Sequence, residues 1–308
     1  MKIIITGASG FIGRNLIPYL KESISGIEIK TLGKANADLN WESLTVNDIA
    51  NYDAIVHLAG KAHDTKNTSS PQEYFDINFG LTKKLFDLSL EASVGKFIYV
   101  SSVKAAADSV EEILTEDALA NPQTPYGKSK LKAEEYIIQN SKFNTQNYYI
   151  LRPCMVHGPG NKGNLNLLYQ FAKRGIPYPL AAFENQRSFL SVENFCFVIK
   201  ELLTGEIESG IYNMADDESL ATTEVVKIIA EVQQKTPSLW HIHPSIIRAV
   251  AKLSDIVRLP LNSERLKKLT ESYTVSNRKI KRALGINKMP VSAREGLIRT
   301  IASFSNHK

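Results

Sequence analysis

The sequence predicts an α/β protein built on a doubly wound parallel sheet, and three observations point to this fold class. Short β-branched runs alternate with longer helical patterns over the first two hundred residues. The predicted strands are almost continuously apolar, as in a parallel sheet that helices cover on both faces. The length of 308 residues, with 43% apolar and 22% charged side chains, suits one large α/β domain or two closely packed domains.

The strands and helices follow one another in regular alternation. The predicted strands are Lys2–Thr6, Ile27–Leu32, Ala54–Ala59, Phe97–Ser101 and Tyr148–Arg152, followed later by Phe189–Val192 and Ile211–Met214. The predicted helices among the first five strands are Phe11–Leu20, Leu44–Ile49, Pro71–Ser93 and Pro125–Gln139.

The C-terminal third lacks this alternation and is predicted to be mainly helical. Thr222 can cap a helix that runs to Val232, and Gly285 suits a left-handed end for a helix from Ser276. Ser292 and Glu295 form a capping box for the last helix. We expect residues 1–153, joined by 186–213, to form the first domain, and residues 154–185 and 214–308 to form a smaller lobe.

Composition and charge exclude several classes of protein. Only two cysteines are present, which argues against a disulfide framework and for a reducing compartment. We see no secretory leader and no apolar run of membrane-spanning length, so we expect a cytoplasmic protein with no membrane span.

The net charge is +5, yet the stretch from His241 to Lys308 carries 14 Lys or Arg against 4 Asp or Glu. This basic third could attract nucleic acid, an acidic lipid surface or a phosphate-bearing substrate, but solvated helix faces explain it equally simply, and we expect no nucleic-acid partner.

A glycine-rich turn follows the first predicted strand and opens the first predicted helix. It reads TGASGFIG from Thr6 to Gly13, with GxxGxxG spacing. Gly7 allows the tight turn, Gly10 lets a pyrophosphate approach backbone N–H groups, and Gly13 lets the helix pack close to the sheet. This context predicts a Rossmann-type domain that binds a dinucleotide.

The tip of the second strand indicates which dinucleotide is bound. An Asp or Glu there would select NAD through the ribose 2′-OH, but Gly33 and Lys34 stand in its place. Lys34 and Arg14 could balance a 2′-phosphate, or both could be solvated cations. We therefore favour NADP over NAD and leave NAD open. Asp38 could accept a hydrogen bond from the adenine amine or could simply cap the next turn.

A serine, a tyrosine and a lysine form the predicted catalytic centre. Tyr126 and Lys130 are four residues apart at the start of a helix and therefore share one face. A phenol with a pKa of about 10 is too weak a base at neutral pH, and an adjacent ammonium and an oxidised nicotinamide would lower that pKa. Ser102 follows a strand, where doubly wound folds bind ligands, and can hold the reacting oxygen toward Tyr126.

These motifs resemble the extended short-chain dehydrogenase/reductase family, in its nucleotide-sugar epimerase and reductase branch. The matching segments are TGASGFIG at 6–13, HLAG at 57–60, NFGLT at 78–82, SS at 101–102, YGKSK at 126–130 and RPCMVHGPG at 152–160. The chain looks like UDP-glucose 4-epimerases and most resembles bacterial UDP-N-acetylhexosamine 4-keto reductases and their 4-epimerase relatives.

The resemblance implies a set of site residues. Ser102, Tyr126 and Lys130 are the expected catalytic residues. The expected cofactor-binding residues are Gly7, Ser9, Gly10, Phe11, Ile12, Gly13, Lys34, Asp38, Leu39, Leu58, Ala59, Gly60, Asn78, Ser101, Tyr126, Lys130 and Pro153. The expected substrate-binding residues are Lys104, Asn164, Pro179, Arg187 and Arg265. Lys104 could equally be a loop cation and Arg187 a surface cation, and no metal site is expected.

The resemblance also limits the number of reactions that the protein could catalyse. Similar 4,6-dehydratases carry an acidic pair directly after the serine, where this chain has Val103 and Lys104, so we set dehydration aside. The remaining choices are 4-epimerisation and net reduction of a 4-keto sugar. Alternatives are an NADPH-dependent reductase of a small non-nucleotide ketone and a non-catalytic NADP(H)-sensing module. Two helices at 72–92 and 126–139 resemble those that form a four-helix dimer contact in the family, so we expect a homodimer.

Overall fold

The computed structural model describes residues 1–61, 70–141, 146–161, 164–257 and 262–305. Its strands are β1 (Lys2–Thr6), β2 (Glu28–Gly33), β3 (Leu39–Asn40), β4 (Ala54–His57), β5 (Lys96–Val100), β6 (Ile113–Leu114), β7 (Asn147–Pro153), β8 (Met155–His157), β9 (Arg187–Ser191), β10 (Gly210–Met214), β11 (Ser219–Leu220) and β12 (Thr274–Val275). Its α-helices are α1 (Phe11–Ser23), α2 (Pro71–Tyr74), α3 (Leu81–Glu91), α4 (Pro125–Ser141), α5 (Asn164–Lys173), α6 (Val192–Thr204), α7 (Thr222–Val232), α8 (Pro244–Val257), α9 (Ser263–Thr270), α10 (Arg278–Leu284) and α11 (Ala293–Ser305). A π-helical segment, Phe75–Gly80, joins α2 to α3.

The centre of the molecule is a seven-stranded sheet in the order β10-β7-β5-β4-β1-β2-β3. All neighbouring pairs in it are parallel, which confirms the predicted doubly wound, Rossmann-type α/β fold. Because every strand has the same direction, the carboxyl ends of β1, β4, β5 and β7 lie at one edge. Ligands bind at this edge in open α/β sheets.

The two faces of the sheet are buried by different helices. Along β1, Ile3 and Ile5 pack with the apolar face of α1, which includes Leu16. The intervening residue, Ile4, packs on the opposite face with Phe86 of α3. This period of two is the consequence of strand geometry, and burial on both faces explains why the strands are apolar throughout.

Several predicted element boundaries were wrong. The predicted helix Leu44–Ile49 is only a single 3₁₀ turn, Val46–Asp48, closed by a capping box between Thr45 and Asp48. Helix α7 starts at Thr222 itself, so Ala221 is the N-cap. Helix α10 begins at Arg278 instead of Ser276 but ends, as predicted, at a left-handed Gly285 with φ of 67°.

Outside the main sheet, the described residues add a three-stranded sheet, β11-β9-β8, and a two-stranded one, β12-β6. The predicted strand Phe189–Val192 is β9 and belongs to the three-stranded sheet. Helix α6 packs beside α1 on the main sheet, through the core that holds Phe195 and Leu20. The proposed boundaries at 153, 186 and 213 stay a prediction.

A buried ion pair fixes helix α4 to the sheet. The Arg152 guanidinium in β7 donates from Nη2 to Oε2 of Glu134 in α4 at 2.6 Å, and from Nε to both carboxylate oxygens at 3.1 Å. The exposed fraction is only 3% for Arg152 and 1% for Glu134. Ser101 donates its hydroxyl to the same carboxylate. The pair therefore joins α4 to the carboxyl ends of β5 and β7.

We predict that Arg152→Met destabilises the protein by about 3–5 kcal/mol, because it leaves the Glu134 carboxylate buried without a counterion. Urea denaturation measures the loss. The matched control is Arg294→Met, which breaks the exposed pair with Glu231 and should cost less than about 1 kcal/mol. Equal and small losses in the two variants would contradict the role given to the buried pair.

Candidate active site

The glycine-rich turn between β1 and α1 is packed against the loop that follows β4. Gly7 has φ of 68°, and a Cβ on it would lie 2.8 Å from the Ala59 nitrogen. A Cβ on Gly13 would lie 2.6 Å from the Ala8 carbonyl oxygen, so this position also excludes a side chain. Gly7 makes the turn, as the sequence predicted, whereas the absence of a side chain at Gly13 lets α1 approach the turn itself.

The N-terminus of α1 is suited to bind a phosphate. Gly10 is the N-cap, and within the described residues no side chain caps it and no acidic side chain occupies the first turn. Ser9 and Gly10 are exposed, and Phe11 and Ile12 begin the helix. The first-turn N–H groups and the helix dipole favour an anion there, so the turn fits the pyrophosphate of a dinucleotide.

A buried histidine positions the loop Leu58–Gly60. The His57 ring bonds Thr6 Oγ1 through Nδ1 at 2.7 Å and Thr82 Oγ1 through Nε2 at 2.9 Å. Thr6 Oγ1 also accepts the N–H of Ala59 at 2.9 Å. Burial, with a smaller contribution from the nearby Lys130 charge, lowers the pKa of His57 to about 3, so the ring is neutral. We did not predict this role, although His57 opens the HLAG segment.

The π-helical segment places Asn78 between this loop and helix α4. Its amide nitrogen donates to Ser129 Oγ at 3.0 Å and to the Lys61 carbonyl at 3.2 Å, and its oxygen accepts the Lys61 N–H at 2.7 Å. Ser129 in turn donates to the Tyr126 carbonyl at 2.8 Å. Asn78 is fully buried and therefore braces the start of α4.

The Lys130 ammonium is buried against the end of β5. Its Nζ donates to the Val100 carbonyl at 2.9 Å and lies 4.9 Å from the ring centre of Tyr99. A Cβ on Gly60 would lie 3.1 Å from this Nζ, so a larger residue at position 60 would press on the ammonium. Burial lowers the pKa of Lys130 to about 8, and the Glu134 carboxylate opposes the shift. The lysine therefore keeps most of its charge at neutral pH.

Tyr126 and Ser102 come together as predicted, with a hydrogen bond between their side chains. Ser102 also caps the 3₁₀ turn Val103–Ala105 by accepting the Lys104 N–H at 3.2 Å. Tyr126 packs edge-to-face on Tyr74, with 6.2 Å between the ring centres. Burial raises the pKa of Tyr126, the Ser102 bond lowers it and Tyr74 raises it further. The net direction is a rise, so the phenol of the protein alone is a proton donor. The lowering expected from Lys130 together with an oxidised nicotinamide stays a prediction.

The other predicted cofactor residues lie around the carboxyl edge of the main sheet. Two of them, Leu39 and Ser101, contact other residues of the protein. Leu58 and Ala59 are half-buried in the loop after β4, and Pro153 ends β7. Leu39 opens β3 beside Leu32. The Ser101 hydroxyl already belongs to the Glu134 network, so a cofactor would contact Ser101 through its backbone.

Lys34 and Asp38 lie beyond the tip of β2. Lys34 is exposed. Asp38 accepts from the N–H and the hydroxyl of Thr31 at 2.7 and 2.8 Å, which lowers the pKa of Asp38. Of the two roles considered for Asp38, these contacts favour the capping of the turn.

Two of the predicted substrate residues lie beside the same tyrosine. Lys104 Nζ is 4.1 Å from the ring centre of Tyr273 and donates to the Asp108 carbonyl at 2.7 Å. Arg187, at the start of β9, forms a backbone bridge with Tyr273. Burial lowers the pKa of Arg187, and Glu271 opposes the shift. Tyr273 was not among the predicted residues, because only the fold brings it to this position.

The remaining substrate candidates are less informative. Pro179 is half-buried between Tyr178 and Leu180. The side chains of Asn164 and Arg265 lie outside the described part of the structure. Within the described ranges, no three His, Cys, Asp or Glu side chains form a group that could hold a metal ion. In the same ranges, no helix combines the length and apolar character needed to cross a bilayer.

Known proteins similar to this chain include an epimerase of a nucleotide sugar. The chain is 28% identical to the UDP-glucose 4-epimerase of Vibrio cholerae, over 98% of this chain and 95% of that protein. The structure of MoeE5 in complex with UDP-glucuronic acid and NAD superposes with a TM-score of 0.78, 21% identity and full coverage of both chains. That of RMD from Pseudomonas aeruginosa complexed with NADPH gives a TM-score of 0.73, 20% identity and 98% coverage of each chain.

The family assignment rests on a match to a family model that covers more than half of the chain. Residues 3–215 match the model of the NAD dependent epimerase/dehydratase family, a region that holds the glycine-rich turn, Ser102, Tyr126 and Lys130. This confirms the resemblance drawn from the motifs. The chain belongs to the NAD dependent epimerase/dehydratase family.

Proposed function

We propose that this protein is an NAD(P)-dependent enzyme that acts at C4 of a UDP-sugar, as a UDP-N-acetylhexosamine 4-epimerase or 4-keto reductase. The observation that carries the proposal is the hydrogen-bonded pair Ser102–Tyr126, set one helical turn from the buried Lys130. The similarity to a UDP-glucose 4-epimerase over nearly the whole chain supports both the nucleotide and the position on the sugar.

The residues of the chain divide the chemistry among them. When bound, the nicotinamide cofactor accepts or supplies the hydride. The glycine-rich turn and the N-terminus of α1 would hold its pyrophosphate, and Lys130 would hold the nicotinamide ribose. Ser102 holds the C4 oxygen, and Tyr126 gives that oxygen a proton or takes one from it. The raised pKa of Tyr126 suits the giving of a proton, as reduction of a ketone requires.

Arg187, Lys104 and Tyr273 are proposed to hold the nucleoside diphosphate. A half-buried guanidinium is a suitable partner for phosphate oxygens because it can donate two parallel hydrogen bonds. Asn164, Pro179 and Arg265 belong to the same proposal through the family resemblance. With them, residues 154–185 and 214–308 would form the substrate lobe.

The choice between epimerase and reductase depends on how the cofactor is used. An epimerase returns the hydride to the same sugar and keeps its cofactor, whereas a reductase needs fresh reduced cofactor in each turnover. Strand β2 ends at Gly33, which is followed by the exposed Lys34 and not by a carboxylate, and the nearby Asp38 carboxylate already accepts from the N–H and the hydroxyl of Thr31. We therefore propose NADP(H) in preference to NAD, and with it the reductase. The two cysteines, Cys154 and Cys196, are unpaired, which agrees with a reaction in the cytoplasm.

We predict that Tyr126→Phe lowers turnover at least about a hundredfold, because the C4 oxygen of the sugar then lacks its proton donor. Cofactor binding, followed by fluorescence titration, should stay within about threefold of the parent protein, because the glycine-rich turn and Lys130, which are proposed to hold most of the cofactor, are unchanged. The matched control is Tyr148→Phe, which removes a half-buried hydroxyl from β7 and should leave turnover unchanged. Near-normal turnover in the Tyr126 variant would contradict the role of Tyr126 as the acid and base at C4.

We predict that the enzyme acts only on sugars that carry UDP. The test incubates the protein with UDP-N-acetylglucosamine, its galacto epimer and the corresponding UDP-linked 4-keto sugar, with NAD and NADPH separately. Net oxidation of NADPH by the 4-keto sugar would establish the reductase, and interconversion of the epimers without net cofactor use would establish the epimerase. Turnover of small ketones that lack UDP would favour the plain reductase, and cofactor binding without any turnover would favour the sensing module.

We also predict a homodimer in which α2–α3 and α4 form a four-helix contact. Within one chain these helices already pack together, with the Tyr136 hydroxyl donating to Asp87 at 2.6 Å and Lys83 lying 4.7 Å from the Tyr136 ring centre. Light scattering should give twice the mass of the chain. A monomer at every concentration tested would contradict this arrangement.

A further inference from the structure

Helix α4 carries a third ionisable residue on the face that holds Tyr126 and Lys130. Glu134 follows Lys130 by four residues, as Lys130 follows Tyr126, so the three side chains form one row along the helix. Lys130 is 4% exposed and Glu134 is 1% exposed. The row therefore extends from the predicted catalytic residues into the protein, and the proposed reaction gives Glu134 no role.

The two buried charges of this row meet the carboxyl end of β5 at consecutive residues. The Lys130 ammonium donates to the Val100 carbonyl at 2.9 Å, and the Glu134 carboxylate accepts the hydroxyl of Ser101. The negative charge of Glu134 acts on the ammonium in this place. Opposite charges interact far more strongly in such a poorly solvated position than they do in water.

Arg152 makes Glu134 a permanent negative charge. A buried carboxylate without donors takes up a proton, whereas hydrogen bonds to the charged form favour that form. Arg152 donates from Nη2 to Oε2 at 2.6 Å and from Nε to both carboxylate oxygens at 3.1 Å. The hydroxyl of Ser101 is a further donor. A fixed anion therefore stands one helical turn beyond Lys130.

The other titratable groups around Lys130 and Glu134 come from four elements: Tyr126 from α4, Tyr99 from β5, His57 from β4 and Arg152 from β7. Burial raises the pKa of both phenols, so they are neutral at neutral pH. Burial lowers the pKa of His57 to about 3, so its ring is neutral too. Within the described ranges, Glu134 is thus the one group of this set that supplies negative charge.

We propose that Glu134 is a positioning residue of the proposed reaction, which acts through Lys130 by keeping that side chain in the ammonium form. A neutral amine would lack the charge that is proposed to hold the cofactor ribose and to assist ionisation of Tyr126. The catalytic part of this inference rests on the proposed function, whereas the action of Glu134 on the charge of Lys130 does not.

The test follows the ¹³Cε signal of Lys130 against pH in lysine-labelled protein, with Lys130→Met assigning the signal. The parent protein should titrate with a midpoint of about 8. Glu134→Gln keeps the size of the side chain and removes its charge, so the midpoint should fall by at least about one pH unit. A lysine loses its charge as pH rises through its pKa, so the variant becomes neutral at a lower pH than the parent.

The matched control is Glu135→Gln, which makes the same change at the next residue of α4, where the side chain is exposed. Its Lys130 midpoint should stay within about 0.3 pH unit of the parent value, because solvent screens the lost charge. Glu134→Asp keeps the charge, and its midpoint should lie above that of Glu134→Gln. Circular dichroism checks that each variant is folded.

The binding of NADPH at two pH values separates an electrostatic role from a structural one. At about pH 6, Lys130 is charged in both proteins, and Glu134→Gln should bind NADPH within about twofold of the parent. At about pH 8, the variant should bind at least about threefold more weakly, because more of its Lys130 is neutral. Equal weakening at both pH values would mean a structural defect and would overturn the proposal.

Two further results would overturn it: an unchanged Lys130 midpoint in folded Glu134→Gln, or an equal shift in Glu135→Gln. If Glu134→Gln does not fold, the ¹³Cδ signal of Glu134 in the parent protein carries the test. A carboxylate signal at neutral pH supports the proposal, and a protonated carboxyl contradicts it. A shifted midpoint in a protein that turns over no UDP-sugar would support the action on Lys130 while contradicting the proposed function.

Discussion

Burial of a lysine ammonium at the carboxyl edge of the sheet is the constraint around which the candidate active site is built. A charge removed from water must be held by dipoles or by an opposite charge, and Lys130 has the Val100 carbonyl, the face of Tyr99 and the nearby Glu134 carboxylate. Glu134 is itself held by Arg152 and Ser101, so the network extends from α4 through the ends of β5 and β7. The pKa of about 8 that results leaves the ammonium mostly charged at neutral pH but close to its titration range.

The same constraint explains the surroundings of Tyr126. Four residues before Lys130 on α4, it lies in the same poorly solvated space, so burial raises the pKa of its phenol. The bond with Ser102 lowers that pKa and so works in the opposite direction. A phenol of this kind gives its proton to an oxygen that becomes more basic, and it becomes a base only when positive charge is brought beside it. A bound oxidised nicotinamide would supply such charge, and proton transfer at Tyr126 would then be connected to hydride transfer.

Local patterns in the sequence were sufficient to predict the sheet, the glycine-rich turn and the pairing of Ser102 with Tyr126. Each of these depends on spacing within a short segment or on the rule that parallel strands end at one edge. The contacts of His57, of Glu134 with Arg152 and of Tyr273 join residues that are far apart in the chain, and a single sequence gives no register for them. The predicted helix at 44–49 failed because its apolar residues, Leu44 and Ile49, pack from a turn into the core. The lowering of the Tyr126 pKa stays a prediction, because it was expected from Lys130 together with an oxidised nicotinamide. In the protein alone, burial raises that pKa, and burial cannot be measured from a motif.

The central claim is that Tyr126 and Ser102 act on one oxygen of the sugar. A crystal structure with a nicotinamide cofactor and a UDP-sugar tests it most directly. The account predicts that the C4 oxygen lies within about 3.2 Å of both Tyr126 Oη and Ser102 Oγ, which is hydrogen-bond distance for each. A well-ordered sugar whose C4 oxygen lies beyond reach of either hydroxyl, with another ring position in its place, would contradict the account.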